Sequence, residues 1–303
     1  MAGTDWLLLV ALSILWGGSF FFAKIAVGEL PPLAIALGRV SIAAATLALV
    51  ARIGGVALPG SISAWRPFAL MGLLNNVLPF SLIFWGQTHI PSGLAAILNA
   101  TTPLFTVLVA HVATTDERLN GGRIAGLLFG FSGVVAMIGP DALQNIGDNV
   151  AAELACLLAA LSYGCAGVYG RRFRGEPALR VAAGQLIAST VLLVPVVALI
   201  DRPWMLPLPS MTTLGALAGL ALLSTALAYV IFFRILGSAG ATAISLVTFL
   251  IPVSAILLGT QILGEQLAVR HIIGMIAIAI GLAAIDGRLM NWIYRVGTGF
   301  SPR

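Results

Sequence analysis

Ten stretches of about 20 mostly apolar residues follow one another along this chain of 303 residues. A helix needs about 20 such residues to cross the hydrocarbon core of a bilayer. The connectors between the stretches are short and rich in Gly and Pro, so none could hold a soluble domain. The sequence therefore predicts an all-α polytopic membrane protein with ten transmembrane helices. The stretches cover residues 6–27, 33–51, 68–86, 93–113, 122–139, 151–170, 179–200, 212–233, 240–261 and 271–286.

The composition excludes the soluble classes of protein. Hydrophobic residues make up 59% of the chain and charged residues only 9%, whereas soluble domains carry about a quarter charged residues. A chain this apolar cannot cover its core with a polar surface, which excludes a cytosolic enzyme, and it is equally unlike a disordered chain. The net charge of +5 is dispersed, with no basic run longer than residues 171–174. We therefore expect no nucleic-acid partner.

The distribution of basic residues predicts the orientation in the membrane. With the N-terminus in the cytoplasm, only Lys24, Arg202 and Arg270 fall on the outer side, while Arg39 lies inside the second span. We therefore expect a multi-pass protein of the bacterial inner (plasma) membrane with both termini in the cytoplasm. The inner side then carries Arg52, Arg66, Arg118, Arg123, Arg171, Arg172, Arg174, Arg180, Arg234, Arg288, Arg295 and Arg303.

The two halves of the chain resemble each other. Glu117-Arg-Leu119 matches Glu265-Gln-Leu267, and glycines follow both segments at the same spacing. Pro103 in the fourth span and Pro252 in the ninth lie at matched depth. Because each repeat has five spans, an odd number, the second repeat must be inverted in the membrane, as in many transporters. The predicted units are a first repeat at 1–140, a second repeat at 150–286 and a cytoplasmic tail at 287–303.

The matched segments resemble the drug/metabolite transporter superfamily, EamA type. The residues that carry the likeness are Trp16-Gly-Gly-Ser-Phe20, Arg39, Pro103, Glu117, Pro252 and Gly264-Glu265. Within that superfamily the length and aromatic content look most like YddG-type exporters of amino acids. The resemblance implies a ten-helix inner-membrane carrier that works by alternating access. It also implies that helices one, three, four, six, eight and nine line a central cavity, with five and ten at the periphery.

Motifs of enzymes and of metal-binding proteins are missing from the sequence. It has no phosphate-binding loop, HExxH motif or nucleophile elbow, and His89, His111 and His271 fall in separate segments. We therefore expect no enzyme activity, no metal and no cofactor. A membrane-embedded enzyme acting on lipids is a remote alternative, because it would need buried acids, a metal or a nucleophile–base pair.

The acidic residues bear on energy coupling. They lie in connectors or at helix ends, and Glu153 enters the sixth span by only about one turn. Proton relays usually place a carboxylate at mid-membrane. The sequence therefore favours facilitated diffusion over obligatory proton coupling, although the superfamily that it resembles includes proton antiporters.

Polar and aromatic side chains near the membrane midplane are the candidates for a substrate site. Asn76, Phe80 and Phe84 recur at helical spacing and share one face of the third span. Amide and hydroxyl groups suit the polar end of a zwitterion, and aromatic rings suit its apolar body. The predicted substrate-binding residues are Trp16, Ser19, Asn76, Phe80, Phe84, Asn99, Thr102, Tyr163, Tyr229 and Thr248. The predicted gating or hinge residues are Arg39, Pro103 and Pro252.

Several of these residues have a structural alternative. Asn76 and Asn99 could join helices by hydrogen bonds, and Thr106 is assigned to packing. Arg39 could snorkel outward, pair with Glu29 or cap the carbonyls of a bent neighbour. Attraction of a substrate carboxylate by Arg39 stays open as a further alternative.

Two other groups are assigned structural roles. Glu117 and Glu265 are expected to cap the helix that follows each of them, since acids favour helix N-termini. The glycines of the fifth and tenth spans allow close helix packing, which leaves a homodimer through these helices open beside a monomer.

Together these features predict a transporter that exports amino acids, in the first place neutral or aromatic ones, and related small metabolites by alternating access. Its partners would be the small-molecule substrate and the lipid bilayer. The alternative is an exporter of drugs, nucleosides or other hydrophobic solutes, with or without proton coupling.

Overall fold

The computed structural model describes residues 3–114, 119, 121–138 and 148–285, and within these ranges the chain is nearly all helical, with no strand. Seven helices are long and apolar enough to cross a membrane, and three shorter apolar helices complete the set of ten. This confirms the predicted all-α membrane fold. Glu117, Arg118 and the predicted tail at 287–303 lie outside the described residues.

The ten apolar helices follow the predicted spans closely. In α3 and α8 one segment is a π turn, in which hydrogen bonds run from i to i+5. The helices are α1 (Gly3–Ala26), α2 (Pro32–Ile53), α3 (Arg66–Gly72, Leu73–Val77 and Leu78–Gln87), α4 (Ser92–Asn99 and Thr102–Ala113), α5 (Gly121–Ile138), α6 (Asp148–Tyr169), α7 (Ala178–Ile200), α8 (Met211–Ile235, with its π turn at Gly219–Leu227), α9 (Val247–Ile262) and α10 (Val269–Ile285).

Helices α8 and α9 are joined without a non-helical connector, which differs from the predicted break between 233 and 240. The backbone is helical from Ala228 to Ile262. Yet the ring of Phe232 lies 5.7 Å from that of Trp16, and a Cβ on Gly17 would overlap Ser254. A straight helix would separate Phe232 and Ser254 by about 33 Å. The chain must therefore reverse direction between them, so α8 and α9 form an antiparallel pair against α1.

The two prolines at matched depth differ in their surroundings. Pro103 is the second residue of Thr102–Ala113, directly after the interruption of α4 at residues 100–101. Pro252 lies inside the continuous helix that ends at Ile262. The Oγ of Ser254 donates a 2.8 Å hydrogen bond to the carbonyl of Ser13 in α1, so tight packing holds α9 at this point. The helix interruption expected of a proline is therefore found in only one of the two repeats.

Helices α5 and α10 pack against each other through their glycines. A Cβ on Gly126 would lie 2.6 Å from the carbonyl oxygen of Gly281, and one on Gly133 would lie 2.7 Å from that of Gly274. The close approach that these glycines permit is therefore used inside one chain. The alternatives of a monomer and a homodimer stay predictions.

Candidate functional site

A cavity of about 740 Å³ lies at the centre of the helix bundle. Helices α1 to α4 and α6 to α9 line it, while α5 and α10 contribute no lining residue. The resemblance implied six of these helices, and the structure adds α2 and α7. Of the predicted site residues, the cavity is lined by Trp16, Ser19, Arg39, Phe80, Phe84, Asn99, Thr102, Tyr163, Tyr229 and Thr248, but not by Asn76, Pro103 or Pro252.

Asn75 takes the place in the cavity wall that the sequence assigned to Asn76. The π turn at Leu73–Val77 contains one more residue per hydrogen-bonded turn than an α-helix. The side chain on the same face as Phe80 is therefore that of Asn75, five positions earlier, and not that of Asn76, four positions earlier. Asn76 is fully buried, and its Nδ2 donates a 3.0 Å hydrogen bond to the Oγ of Ser189 in α7. Asn76 therefore joins two helices, and the expectation that it faces the cavity is wrong.

Arg39 is the charged side chain in the middle of the cavity. Its side chain is only 6% exposed. Its Nε donates to the Oγ1 of Thr225 in α8 at 2.9 Å, and its Nη1 donates to the Oγ of Ser19 in α1 at 2.9 Å. The guanidinium carbon lies 3.8 Å from the ring centroid of Phe80. Hydroxyl groups and an aromatic face therefore hold the cation in place.

Arg39 has no ionic partner among the described residues. Glu29, which the sequence offered as a partner, accepts hydrogen bonds from Ser210 instead. An arginine at the centre of a membrane helix costs about 2.5–3.5 kcal/mol on insertion, so an unpaired one is by default a functional residue. A cation–π contact with Phe80 offsets only about 1–2 kcal/mol of that cost.

A small polar network in the cavity wall joins α3, α7 and α8. The Nδ2 of Asn75 donates to the Oε1 of Gln185 at 3.1 Å and to the hydroxyl oxygen of Tyr229 at 3.2 Å. The Nε2 of Gln185 also donates to that hydroxyl oxygen, at 3.3 Å. All three side chains line the cavity. The network fixes their polar atoms where a solute could reach them.

Several lining residues have polar atoms without a hydrogen-bond partner among the described residues, and the Oε1 of Gln87 and the Oγ of Ser224 are two of them. The Oδ1 of Asn99 is buried and accepts no hydrogen bond. The hydroxyl of Tyr163 likewise makes no hydrogen bond to a described residue, and it faces the same cavity. Buried polar groups are normally satisfied, so an orphaned acceptor in a cavity wall is a place where a ligand or water can donate.

The cavity is closed where α1 and α3 end, a region called here the Lys24 end. The Nζ of Lys24 donates to the carbonyls of Gln87 at 2.7 Å and of Ile90 at 3.0 Å. The Nε2 of Gln87 donates to the carbonyl of Phe20 at 2.8 Å. A cation at the C-terminus of a helix satisfies carbonyls that have no partner within that helix. These contacts tie α1 to the α3–α4 connector above the cavity.

Three carboxylates at the same end cap helices of the other repeat. Glu265 accepts from the N–H of Ser92 at 2.8 Å and from its Oγ at 2.7 Å, at the start of α4. Glu29 accepts from the N–H and Oγ of Ser210, the N-cap of α8, each at 2.7 Å. Asp201 accepts from the N–H of Ala34 in α2 at 2.8 Å. Glu265 therefore caps a helix of the first repeat, which corrects the expectation that it caps the helix following it.

The environments of two of these carboxylates shift their pKa values in opposite directions. Hydrogen bonds from the backbone and side chain of Ser210 lower the pKa of Glu29 below its ordinary value. Burial raises the pKa of Asp201, and the hydrogen bond from Ala34 opposes this only partly. The ionised form of Glu29 is thus favoured in the folded protein, whereas that of Asp201 is disfavoured.

At the opposite end the cavity reaches the solvent beside the connector from α6 to α7. Arg171, Phe173 and Arg174 line this mouth, and Arg174 is exposed. Together with Arg39, three arginines and no carboxylate are found among the lining residues that the structure describes. Among the described residues no group of His, Cys, Asp and Glu could hold a metal ion.

Sequence reasoning missed several polar residues of the wall, among them Asn75, Gln185 and Ser224. Asn75 adjoins Asn76, and the helical period alone selected the wrong member of the pair. Pro79 follows four residues after Asn75 and cannot donate a backbone hydrogen bond to its carbonyl, which was the available signal for an altered turn. Gln185 lies in α7, a helix that the resemblance did not place at the cavity. Thr106 packs as expected, with its Oγ1 donating to the carbonyl of Thr102.

Comparisons with known proteins agree with this architecture. The model of the EamA-like transporter family matches residues 5–139 and 150–285. The "Uncharacterized inner membrane transporter YedA" of Escherichia coli (strain K12) is 29% identical over 267 residues, which cover 86% of this chain and 83% of the relative. The "Probable amino-acid metabolite efflux pump" of Escherichia coli (strain K12) is 23% identical over 299 residues, which cover 93% of this chain and 94% of the relative.

A solved crystal structure of another protein has the same fold. It superposes with a TM-score of 0.65 at 21% identity and covers 94% of this chain and 98% of the other. This likeness bears on the fold alone, and it extends over nearly the whole of both chains.

Proposed function

The chain belongs to the EamA-like transporter family, and on that premise we propose that it exports neutral and aromatic amino acids and related small metabolites. The observation that carries the proposal is the central cavity, which combines an aromatic wall with amide, hydroxyl and guanidinium groups. A cavity of about 740 Å³ has the size of a small-molecule site. The relative named as an amino-acid metabolite efflux pump supports the same substrate class.

The proposed direction of transport is from the cytoplasm outward. The positive-inside rule places the mouth beside Arg174 in the cytoplasm and the closed Lys24 end outside. The described conformation would then accept a solute from the cytoplasm. The proposed location is the bacterial inner membrane, in agreement with the label of the YedA relative, with both termini in the cytoplasm.

Alternating access would proceed by rocking the two repeats, proposed at 1–140 and 150–286, around the cavity. To open the Lys24 end, the contacts of Lys24, Glu29, Asp201 and Glu265 must break. Helix α4 is the proposed hinge, because it is interrupted at residues 100–101, directly before Thr102 and Pro103. Since no carboxylate lines the cavity within the described part of the chain, we propose facilitated diffusion without an obligatory proton.

Flux into proteoliposomes tests this function. Purified protein is assayed with labelled neutral and aromatic amino acids, nucleosides and cationic drugs, each with and without a pH gradient. We expect saturable flux of amino acids that does not depend on the gradient. Flux of nucleosides or drugs alone would overturn the amino-acid proposal, and flux only under a pH gradient would overturn facilitated diffusion.

A further inference from the structure

We infer that Arg39 binds the carboxylate of the transported solute, so that the protein selects solutes with a free carboxylate over their amides, over amines and over cationic drugs. This inference rests on the proposed function as a small-molecule transporter and adds the chemical group that is recognised. It assigns Arg39 to direct binding instead of a gating role alone. The inference stands on the geometry of Arg39, on the charge of the cavity and on the other polar atoms in its wall.

The geometry leaves part of the guanidinium available. Of its five N–H groups, one at Nε is used by Thr225 and one at Nη1 by Ser19. No described residue accepts from the other three. The side chain lines the cavity, so these donors can meet a ligand there. Two parallel N–H groups match the two oxygens of a carboxylate, which makes arginine suited to this group.

The hydroxyls of Ser19 and Thr225 orient the guanidinium from two helices, α1 and α8, that belong to different repeats. The ring of Phe80 lies against its face at 3.8 Å and that of Phe84 at 5.9 Å. Neither hydroxyl neutralises the charge. The cation is thus held in one orientation while no counter-ion lies among the described residues, which is the arrangement expected of an anchor for an anionic group.

The charge of the described lining residues supports the same inference. Arg174 lies at the mouth, Arg39 lies deep, and no carboxylate is found among the described lining residues. These charges would attract a carboxylate inward and disfavour a cationic solute. The orphaned Oδ1 of Asn99 and the ring of Trp16 could accept the amino group of a zwitterion.

Arg39 could instead serve only to tie α1, α2 and α8 together. Such a tie would affect the transport of every solute equally, because it acts on the protein and not on a ligand group. A carboxylate anchor affects only solutes that carry the carboxylate. The test therefore changes the ligand and the protein together.

The ligand series is phenylalanine, phenylalaninamide, which keeps the ring and the amino group, and 3-phenylpropionate, which keeps the ring and the carboxylate. Each compound competes with labelled phenylalanine in proteoliposomes, and its binding is also measured by thermal stabilisation of the purified protein. In the wild type we expect the amide to bind about 30-fold more weakly than phenylalanine, the effect of removing one partner of a charge pair.

The protein series is Arg39→Gln, Arg39→Lys and the matched control Arg52→Gln. Arg52 lies on the same helix and is exposed. In Arg39→Gln we expect phenylalanine to bind about 30-fold more weakly and the amide to change less than about threefold. Arg39→Lys keeps the charge but loses the paired N–H donors, so we expect its loss of phenylalanine binding to lie between that of the wild type and that of Arg39→Gln. If Arg39→Gln does not fold, Thr225→Val, which removes the acceptor of Nε but keeps the side-chain shape, should show the same selective loss in smaller degree.

The outcomes separate this inference from the proposed function. If the wild type transports amino acids but binds phenylalanine and its amide equally, or if Arg39→Gln weakens both equally, the anchor is overturned and amino-acid export stands. If the wild type transports no amino acid but carboxylates stabilise it in an Arg39-dependent way, the anchor stands and the amino-acid proposal fails. If no carboxylate binds at all, both are overturned.

Discussion

The carboxylate of Glu265, in the loop before α10, accepts hydrogen bonds from the backbone N–H and the hydroxyl of Ser92 at the first turn of α4. The two residues lie 173 positions apart and in different repeats. The same end of the bundle holds Glu29 against Ser210 and Asp201 against Ala34. Closure of this end therefore depends on acids that cap helices of the other repeat.

The first prediction concerns this cap. Glu265→Ala should lower the free energy of unfolding by about 1–3 kcal/mol, because a helix N-terminus loses a charged acceptor. Gly259→Ala should act in the same direction, since its Cβ would occupy the position of the Glu265 carboxylate. Thermal unfolding in detergent measures both.

The control for this prediction is Glu176→Ala. Glu176 forms a partly exposed ion pair with Arg180 one helical turn away, and such pairs contribute about 0–1 kcal/mol. An effect of Glu265→Ala no larger than that of Glu176→Ala would show that the cap between repeats contributes little.

The second prediction concerns pH. The pKa of Glu29 is lowered below its ordinary value of 4.5 in the folded protein, so its stabilising contribution is present above that value and is lost as the pH falls through the folded pKa. The pKa of Asp201 is raised above 3.8, so its contribution is favourable at low pH and is lost as the pH rises through the folded pKa.

At pH 7, therefore, Glu29→Gln should lower the unfolding temperature, and Asp201→Asn should leave it unchanged or raise it, because the amide oxygen can still accept from Ala34. The difference between Glu29→Gln and the wild type should be largest near neutral pH and should shrink as the pH falls through the folded pKa of Glu29, which lies below 4.5. Unfolding temperatures measured between about pH 3 and pH 8 test this. Equal and parallel curves for the two variants would contradict the opposite environments of these acids.

The third prediction separates the adjacent asparagines. Asn75→Ala should raise the KM for substrate about tenfold with little change in stability, since it removes a polar group of the cavity wall. Asn76→Ala should lower stability by about 1–2 kcal/mol and leave KM unchanged, because it leaves the Oγ of Ser189 without its donor in a buried site. Paired flux and unfolding measurements distinguish them. The reverse assignment of effects would mean that α3 lacks the π turn.

The fourth prediction concerns the proposed hinge. Pro103→Ala should slow turnover more than it weakens substrate binding, because an alanine can restore the backbone hydrogen bond that proline prevents and so stiffen α4. Pro252→Ala is the matched variant, in a helix that is already continuous, and should have the smaller effect. Turnover and binding are measured separately in proteoliposomes. Unchanged turnover in Pro103→Ala would remove this proline from the mechanism.

The extent to which the sequence predicts the site differs from residue to residue. Phe80 and Phe84 lie C-terminal to the π turn of α3, where the helical period is regular, and both line the cavity as expected. Asn76 lies within the turn, and there the period fails. Regular spacing is a property of an ideal α-helix, so a single additional residue in one turn changes which side chain faces the cavity.

The contacts of charged residues could not be predicted from the sequence. Glu265 precedes α10 in the sequence but contacts α4, and Glu29 contacts the start of α8 instead of Arg39. A local sequence pattern indicates contacts only with residues nearby in the chain. Which helix ends meet is decided by the way in which the two repeats pack.

The sequence alone predicts the number of apolar helices, most of their boundaries to within a few residues, the membrane as their solvent and the position of one arginine inside a span. These properties follow from the free energy of apolar surface and from the length of helix that a bilayer requires, which are local to each segment. The packing of the helices, in contrast, sets the contacts of Arg39 with the hydroxyls of Ser19 and Thr225, the exposure of Asn75 to the cavity and the capping of helices by carboxylates of the other repeat. Those contacts join residues up to 186 positions apart, and they depend on the relative positions of whole helices, which no local pattern specifies.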